Sequence, residues 1–331
     1  MRLIRLLLAI TLLMVGTLLS AQERSAAEGK TTANRRSQEQ VSLKPLEFLI
    51  DWQAEPTYLG IYYAKHFGAF KNLGLDVSVV QSWGANEAAA AIAAGKYKIG
   101  TSSGGATVIA NSSGAGLVST AVIYRRLPTA VFGLKKAGVR NPKDLAGKTV
   151  GIYAKSITGN EFDAFMKLNG LKKDDVNVVS ISGPDLPLIL AGRVDAVLNY
   201  FELSPTQLAL EHETFQLLLD KYGVKGYGLN VITSRKTYEE DTKLIEGITQ
   251  AVLLGYRKGC ANREAATASF LKEFPEKNSE YVKSSWAKVC KFIGGDYGTQ
   301  TVQGWQSTID LYGKLDLLNG PVSPADIMPR E

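Results

Sequence analysis

The chain contains one pattern of strands and helices twice. The first copy occupies residues 46–101 and the second residues 148–200. The copies are most alike where an apolar helix stops at a glycine and a strand begins, in residues 92–99 and residues 190–197. Strands that alternate with helices predict parallel neighbours, because parallel strands need a crossover between them. The repeat therefore predicts an α/β fold of two lobes, each a mainly parallel sheet flanked by helices, with a ligand in the gap between them.

The segments outside the repeats predict how the chain passes between the lobes. A pair of strand-like segments lies between the copies, and residues 227–233 form another that can carry the chain back. We therefore expect lobe one to combine residues 45–127 with residues 232–331, and lobe two to span residues 128–231. The last part of lobe one has helical apolar spacing, which predicts a helical C-terminal region packed on that lobe. Two crossings make a hinge, so we expect closure around a ligand.

The N-terminal sequence predicts export. Residues 1–27 have the layout of a secretory signal peptide, with basic residues, an apolar run over residues 6–19, and cleavage between about Ala21 and Ala27. A membrane anchor is the alternative, but the run is shorter than the ~20 residues that a spanning helix needs. Residues 28–44 are polar and predict a disordered leader. We therefore expect a periplasmic protein.

Composition argues against several functions. The net charge is +6, and the lysines are scattered rather than arranged in a basic stripe, so we expect no nucleic-acid partner. The two cysteines and two histidines are too few at their spacings for a structural zinc or iron–sulfur site, and we expect no metal and no cofactor. An oxidising compartment permits a bridge between Cys260 and Cys290, and two buried thiols are the alternative.

Candidate ligand-binding residues follow the ends of predicted strands, because ligands of open α/β sheets bind beyond the carboxyl ends of the strands. The candidates in the first repeat are Asp51, Trp52, Glu55, Tyr58, Trp83, Asn86, Ser102 and Ser103. The candidates in the second half are Thr158, Asn160, Tyr200, Glu202 and Tyr227. Residues 158–160 expose backbone amides at a predicted helix N-terminus, which suits an anion. Residues 102–105 lack the lysine of a P-loop, which argues against nucleotide hydrolysis.

Several candidates also have purely structural interpretations. Asp51 and Ser103 can each cap the helix that follows. Glu202 can be a surface glutamate at the start of a helix. Trp52 and Trp83 are two large aromatic residues at neighbouring strand ends, and for them we favour stacking on a ligand over packing between loops.

A series of short motifs in a specific order follows the start of the first strand. The segments are Asp51-Trp52, Glu55-Pro56, Tyr58 to Lys65, Gly68-Ala69-Phe70, Gly74 to Val77, Ala93 to Lys96 and Gly100. Together they resemble the nitrate/sulfonate/taurine and thiamine-pyrimidine-precursor-like substrate-binding proteins of ABC importers, over residues 45–235. This resemblance implies a type II binding-protein fold and a monomer that delivers a small molecule to a permease in the inner membrane.

The chemistry of the candidates bears on which ligand is bound. Asp51, Glu55 and Glu202 are acceptors, and arginine is missing from these strand ends, which suits amino or ring N–H groups better than a bare oxyanion. The resemblance to pyrimidine-binding members implies stacking by Trp52, Trp83 and Tyr200. It also implies that Asn86, Ser102 and Glu202 recognise the ring edge. We therefore predict a planar nitrogen heterocycle similar to the thiamine-precursor pyrimidine.

Two alternatives to this prediction remain open, and a role as a sensor or partner-binding module is a third. A sulfonate, taurine, nitrate or other small anion is possible because Lys155, with Arg125 or Arg126, offers positive charge. The chain also departs from many of the pyrimidine-type members that it resembles, because they have a histidine soon after the first strand where this chain has Tyr58. This difference weakens the argument for a pyrimidine ligand. The similar fungal pyrimidine synthases make an enzyme the second alternative. We predict that the chain is not an enzyme, because it lacks their cysteine-rich segment and His66 lies within a predicted helix.

Overall fold

The computed structural model describes residues 43–153 and 156–330. Pro45–Glu331 forms one compact unit. The predicted signal peptide and almost all of the predicted leader lie outside the described residues. Within the described ranges, no helix is both long enough and apolar enough to cross a membrane.

Ten strands among the described residues form two separate sheets of five. The strands are β1 (Lys44–Ile50), β2 (Leu75–Gln81), β3 (Ile99–Ser103), β4 (Leu117–Val122), β5 (Thr129–Leu134), β6 (Thr149–Tyr153), β7 (Asn177–Ile181), β8 (Ala196–Tyr200), β9 (Thr214–Leu218) and β10 (Leu229–Ser234). The first sheet has the order β2-β1-β3-β10-β4, and the second has the order β7-β6-β8-β5-β9.

The two sheets have equivalent topologies. In the first sheet β1 is parallel to β3, and β10 is antiparallel to both β3 and β4. In the second sheet β6 is parallel to β7 and β8, and β5 is antiparallel to both β8 and β9. The antiparallel strand in each sheet directly follows a passage of the chain from the other sheet. The prediction of two lobes with mainly parallel sheets is confirmed.

Helices cover the sheets and form most of the C-terminal region. They are α1 (Leu59–His66), α2 (Ala85–Ala93), α3 (Gly104–Ser112), α4 (Ile157–Leu168), α5 (Leu186–Leu190), α6 (Ser204–Ala209), α7 (Arg235–Glu240), α8 (Thr242–Ala261), α9 (Arg263–Glu273), α10 (Ser279–Ile293), α11 (Val302–Gly313) and α12 (Pro324–Ile327). Several of these helices have a side-chain cap at the N-terminus. At the start of α10, for example, the Asn278 side chain accepts a hydrogen bond from Tyr281 N. Gly294 ends α10 at a φ of 69°, which favours glycine.

The C-terminal helices pack differently from one another. Tyr256 of α8 and Trp286 of α10 are fully buried in the core of the first lobe, as the apolar spacing predicts. Helix α11 instead contacts both lobes. Its Trp305 packs with the first-lobe residue Val108, whereas its Tyr312 belongs to the core of the second lobe. The expectation that the helical region packs only on lobe one is therefore wrong for α11, because its buried face extends across both cores.

The two passages between the sheets run side by side. Gly228 N donates to Tyr124 O at 2.8 Å, and Gly104 N donates to Gly228 O at 2.7 Å. A Cβ atom at Gly228 would lie 2.8 Å from Pro128 Cδ and 2.9 Å from Arg126 O. Only glycine therefore fits this close approach without displacing the neighbouring passage.

The two cysteines form a disulfide. Cys260 of α8 and Cys290 of α10 are bonded, with their Cα atoms 5.4 Å apart. The bridge links two helices that contribute to the core of the first lobe. Of the two alternatives that the sequence left open, the structure has the bridge and not two buried thiols.

Candidate functional site

A cavity of about 630 Å³ lies between the two sheets. Both lobes line it, with residues that lie at or just beyond the carboxyl ends of strands. The first lobe contributes Asp51, Trp52, Thr57, Tyr58, Trp83, Gly84, Ala85, Asn86 and Glu87. The second contributes Tyr153, Ser156, Ile157, Thr158, Ile181, Ser182, Leu198, Asn199, Tyr200 and Leu203. A volume of this size accommodates a small organic ligand.

Three aromatic rings form one wall of the cavity. The ring centroids of Trp52 and Trp83 are 6.4 Å apart at an angle of 84°, and those of Trp52 and Tyr153 are 6.5 Å apart at 66°. Trp83 is 73% exposed, which is unusual for so large an apolar side chain. The rings meet edge to face rather than stacking on each other, so a planar ligand can contact a ring face. Because Tyr153 belongs to the second lobe, this wall includes rings from both lobes.

Asp51 places a buried carboxyl group in the cavity wall. The residue is 4% exposed, and its Oδ1 accepts hydrogen bonds from Tyr58 Oη at 3.0 Å and from Thr101 Oγ1. Among the described residues, no side chain donates to Oδ2. Burial raises the pKa of Asp51, and the two hydroxyl donors oppose this effect. The arrangement fixes one oxygen and leaves the other for an N–H donor on a ligand.

The second lobe supplies hydroxyl and amide groups. Ser156 begins α4, where its Oγ accepts from Thr158 N at 3.3 Å and lies 2.9 Å from Thr158 Oγ1. Asn199 is fixed because its Nδ2 donates to Asp185 Oδ2 at 2.9 Å. Burial and nearby carboxyl groups, first among them Asp51, raise the pKa of Tyr200 well above 10. Its phenol therefore stays neutral and can donate a hydrogen bond.

Seven of the thirteen candidates from the sequence line the cavity, and they come from both lobes. They are Asp51, Trp52, Tyr58, Trp83, Asn86, Thr158 and Tyr200. The other six lie outside the lining. They are Glu55, Ser102, Ser103, Asn160, Glu202 and Tyr227.

Three of the six make hydrogen bonds within the first lobe. Ser103 caps α3 by accepting from Ala106 N at 3.1 Å, which is the structural alternative noted for it. Ser102 Oγ donates to the backbone oxygen of Ala85 at 3.0 Å. Glu55 accepts from Lys277 Nζ at 3.0 Å and from Tyr281 Oη at 2.9 Å, so the C-terminal helical region satisfies its carboxylate.

Glu202 lies behind the cavity, not in its wall. It is fully buried, and its Oε1 accepts from Thr57 Oγ1 at 2.9 Å and from Tyr124 Oη at 2.8 Å. Burial raises its pKa to about 7. Because Thr57 lines the cavity, Glu202 supports the wall from the second lobe. It is therefore not a surface glutamate, and it is not among the residues that line the cavity.

The last two candidates outside the lining, Tyr227 and Asn160, pack against a helix and lie within a helix, respectively. Tyr227 is buried against Trp305, with ring centroids 5.2 Å apart, and its Oη accepts from Thr301 N at 2.9 Å. Asn160 is half-buried in the first turn of α4, beyond Thr158.

Sequence reasoning missed several lining residues. Tyr153 is the most prominent, and as the last residue of β6 it satisfies the same strand-end rule that selected Asp51 after β1. Ile181 and Asn199 also lie at strand ends and could have been found in the same way. Leu203 follows β8 within an apolar segment, and nothing in its local sequence marks it as part of a cavity.

Arg125 and Arg126, two of the basic residues that could bind an anionic ligand, interact with other side chains outside the cavity. Arg125 forms an ion pair with Asp296, and the Arg126 guanidinium lies 4.4 Å from the Phe292 ring and 3.5 Å from Asp220. Lys155 lies outside the described residues. No lysine, arginine or histidine of the described chain lines the cavity.

Two lobes with a ligand-sized cavity between their sheets define the class as the type II periplasmic-binding-protein fold. The alkanesulfonate-binding protein SsuA from Xanthomonas axonopodis pv. citri, bound to MOPS, has this fold. It matches with a TM-score of 0.69 and 16% identity, over 87% of this chain and 99% of that one.

The sequence places the chain in a family within this class. The family described as NMT1/THI5 like matches residues 55–266, and the chain belongs to it. The formylaminopyrimidine-binding protein of Halalkalibacterium halodurans is 24% identical, over 86% of this chain and 89% of that protein. A 4-amino-5-hydroxymethyl-2-methylpyrimidine phosphate synthase of Saccharomyces cerevisiae is also 24% identical, over 83% of this chain and 74% of the synthase.

Proposed function

We propose that the chain is the solute-binding component of an ABC importer and captures a small planar nitrogen heterocycle of the thiamine-precursor pyrimidine class between its lobes. The observation that carries the proposal is the cavity wall. It combines aromatic rings from both lobes with a buried carboxyl group, Asp51, whose Oδ2 accepts from no side chain among the described residues. The name of the Halalkalibacterium relative, which binds a formylaminopyrimidine, supports the same ligand class.

The ligand makes two kinds of contact in this proposal. A ring face packs on Trp52, Trp83 or Tyr153, and an amino or ring N–H group donates to Asp51 Oδ2. Tyr200, as a neutral phenol, provides a hydrogen bond from the second lobe. A ligand held in this way touches both lobes, which is the condition for its binding to favour the closed form.

Lobe closure takes place about the passages near Pro128 and Gly228. The sequence-based division gave residues 128–231 to lobe two, but β10 begins at Leu229 within the first sheet. The division proposed is therefore residues 45–127 with 229–331 for lobe one, and residues 128–228 for lobe two. The two passages lie side by side, and the backbone hydrogen bond from Gly228 N to Tyr124 O joins them, which supports a hinge at this place. Helix α11 contacts both cores and limits how far the lobes can separate.

The partner in this proposal is a permease of the inner membrane, and the protein acts in the periplasm as a monomer after removal of residues 1–27. Two observations support this setting. The fold is shared with periplasmic binding proteins such as SsuA, and a disulfide is stable in an oxidising compartment.

A small anion such as a sulfonate, taurine or nitrate is the second candidate. The observation in its favour is that Ser156, Ile157 and Thr158, at the N-terminus of α4, line the cavity, because a helix N-terminus attracts anions. We favour the heterocycle, since the cavity wall has a buried carboxyl group and no cationic side chain among the described residues.

We propose binding without catalysis, although the yeast relative is named as a synthase. The described residues that line the cavity include neither histidine nor cysteine, the usual proton-transfer and thiol groups. His66 lies at the end of α1, stacked on Tyr63 with ring centroids 6.4 Å apart. A ligand recovered unchanged after long incubation, as judged by mass spectrometry, is the expected result.

Isothermal titration calorimetry of the mature protein tests the proposal. The panel contains 4-amino-5-hydroxymethyl-2-methylpyrimidine, its formylaminopyrimidine analogue, taurine, an alkanesulfonate and nitrate. We expect binding of a pyrimidine, with affinity lowered by about 1–3 kcal/mol in Asp51→Asn, because a buried acceptor for an N–H group is lost. Asp76→Asn, at an exposed position of β2, is the matched control. Binding of a sulfonate or nitrate with no pyrimidine binding would overturn the assignment.

A further inference from the structure

A second, open groove of about 740 Å³ runs along the disulfide on the C-terminal helices. Both cysteines line it, and they are half-buried where they pack against the core of the first lobe. The lining residues are Arg257, Cys260, Ala261, Arg263, Ala287, Lys288, Cys290, Lys291 and Tyr297. Four of them are cationic, and no carboxylate is included.

The four cationic residues come from α8, from the start of α9 and from α10, and they line the groove together with the two cysteines. Arg257 lies one helical turn before Cys260, with its guanidinium 5.7 Å from the Tyr297 ring centroid. Lys291 is adjacent to Cys290 and is exposed. Within the described chain, none of the four forms a salt bridge. The lining of the groove therefore carries a net positive charge.

Lys288 connects this groove to the second lobe. Its Nζ donates to Thr206 Oγ1 at 2.8 Å. On the same helix, Ser285 Oγ donates to the backbone oxygen of Glu202 at 2.6 Å. The disulfide thus anchors to α8 a helix that contacts the second lobe directly behind the ligand cavity.

We propose that this groove is a site of thiol–disulfide exchange that selects anionic low-molecular-weight thiols. The attacking thiolate forms a new S–S bond with one cysteine, and the Cys260–Cys290 bond breaks. The other cysteine leaves as a thiolate with the electron pair of that bond. Atoms and electrons balance without a further oxidant or reductant, and the product is a mixed disulfide.

The positive groove acts on both partners of this exchange. It raises the local concentration of an attacking thiol that carries a carboxylate, as clefts of one charge do for oppositely charged ligands. It also stabilises the departing cysteine thiolate, and a leaving group with a lowered thiol pKa departs faster. A neutral thiol benefits only from the second effect, so the preference for anionic thiols is specific to the charge of the groove.

The rates of two thiols of equal chain length test this site on the full mature protein. 3-Mercaptopropionate carries a carboxylate, whereas 3-mercaptopropanol is neutral. The mixed disulfide is trapped by acid quenching and quantified by intact-protein mass spectrometry. Per thiolate, we expect the anionic thiol to react about tenfold faster at low ionic strength, the lower end for electrostatic steering. The advantage should vanish at 1 M salt, where the Debye length is about 3 Å.

A pair of double variants separates the groove from overall charge. Arg263→Gln with Lys291→Gln removes two charges of the groove, and Lys71→Gln with Lys136→Gln removes two exposed charges outside it. The first variant should lose most of the preference for the anionic thiol, and the second should keep it. Equal rates for the two thiols, equal loss in both variants, or free thiols in the untreated protein would overturn the proposal.

Discussion

Replacing Glu161 by glutamine should change how the stability of this protein depends on pH. Glu161 of α4 is 2% exposed, and its Oε1 accepts from Tyr312 Oη at 3.0 Å while its Oε2 accepts from Thr129 Oγ1. Burial raises the pKa of this carboxyl group from 4.5 to about 7, although the two hydroxyl donors oppose the effect. Glutamine keeps the size of the side chain and removes its titration.

The direction in which the free energy of unfolding changes with pH follows from the protons that Glu161 binds in the folded and unfolded states. Between pH 4.5 and about 7 the folded Glu161 holds a proton that the unfolded chain has released, so stability falls as the pH rises through this window. At about 1.4 kcal/mol for each pH unit, the full window corresponds to about 3 kcal/mol. The contribution is fully present below pH 4.5 and is lost above about pH 7.

Urea unfolding of the wild type and Glu161→Gln, at about pH 4 and about pH 8.5, measures this effect. Relative to the wild type, the variant should gain about 3 kcal/mol of unfolding free energy on going from the acidic to the alkaline condition. The other buried carboxyl groups, Asp51 and Glu202 among them, are present in both proteins and cancel from the difference. Glu47→Gln, at an exposed position of β1, is the matched control. A constant difference between wild type and Glu161→Gln at the two pH values would refute the reasoning.

Three further predictions concern the cavity, the disulfide and the hinge. Trp83→Ala should weaken ligand binding by about 1–3 kcal/mol in calorimetry, yet change the urea-unfolding free energy by less than about 0.5 kcal/mol because Trp83 is 73% exposed. Cys260→Ser with Cys290→Ser should lower the unfolding free energy by about 3–4 kcal/mol, because the bridge closes a loop of 30 residues; an unchanged urea midpoint would contradict this. Gly228→Ala should lower the melting temperature, equivalent to about 1–3 kcal/mol, because its Cβ would lie 2.8 Å from Pro128 Cδ; an unchanged melting temperature would contradict it.

The architecture could be predicted from the sequence because each part of the repeat is recognisable from a short stretch of adjacent residues. An apolar helix that stops at a glycine before a strand, as at residues 92–99, is readable from adjacent residues. The packing of α11 was not readable in this way. Whether the apolar face of a helix packs on one lobe or two depends on the positions of both cores, which the spacing of Trp305 and Tyr312 does not contain.

The site was predicted in part for a similar reason. The strand-end rule depends on topology alone, and it placed Asp51, Trp83 and Thr158 around one cavity. It failed for Glu55, whose partners Lys277 and Tyr281 lie more than two hundred residues away along the chain. A carboxylate at a strand end can face a ligand or a distant helix, and local sequence does not distinguish the two.

A crystal structure of the protein with 4-amino-5-hydroxymethyl-2-methylpyrimidine tests the central claim most directly. We expect the ring in the cavity between the lobes, with its centroid about 4.5–7 Å from that of Trp52, Trp83 or Tyr153. We also expect a ligand nitrogen within about 3.2 Å of Asp51 Oδ2. A ring bound outside this cavity, or one bound within it that leaves Asp51 Oδ2 without a donor, would contradict the account.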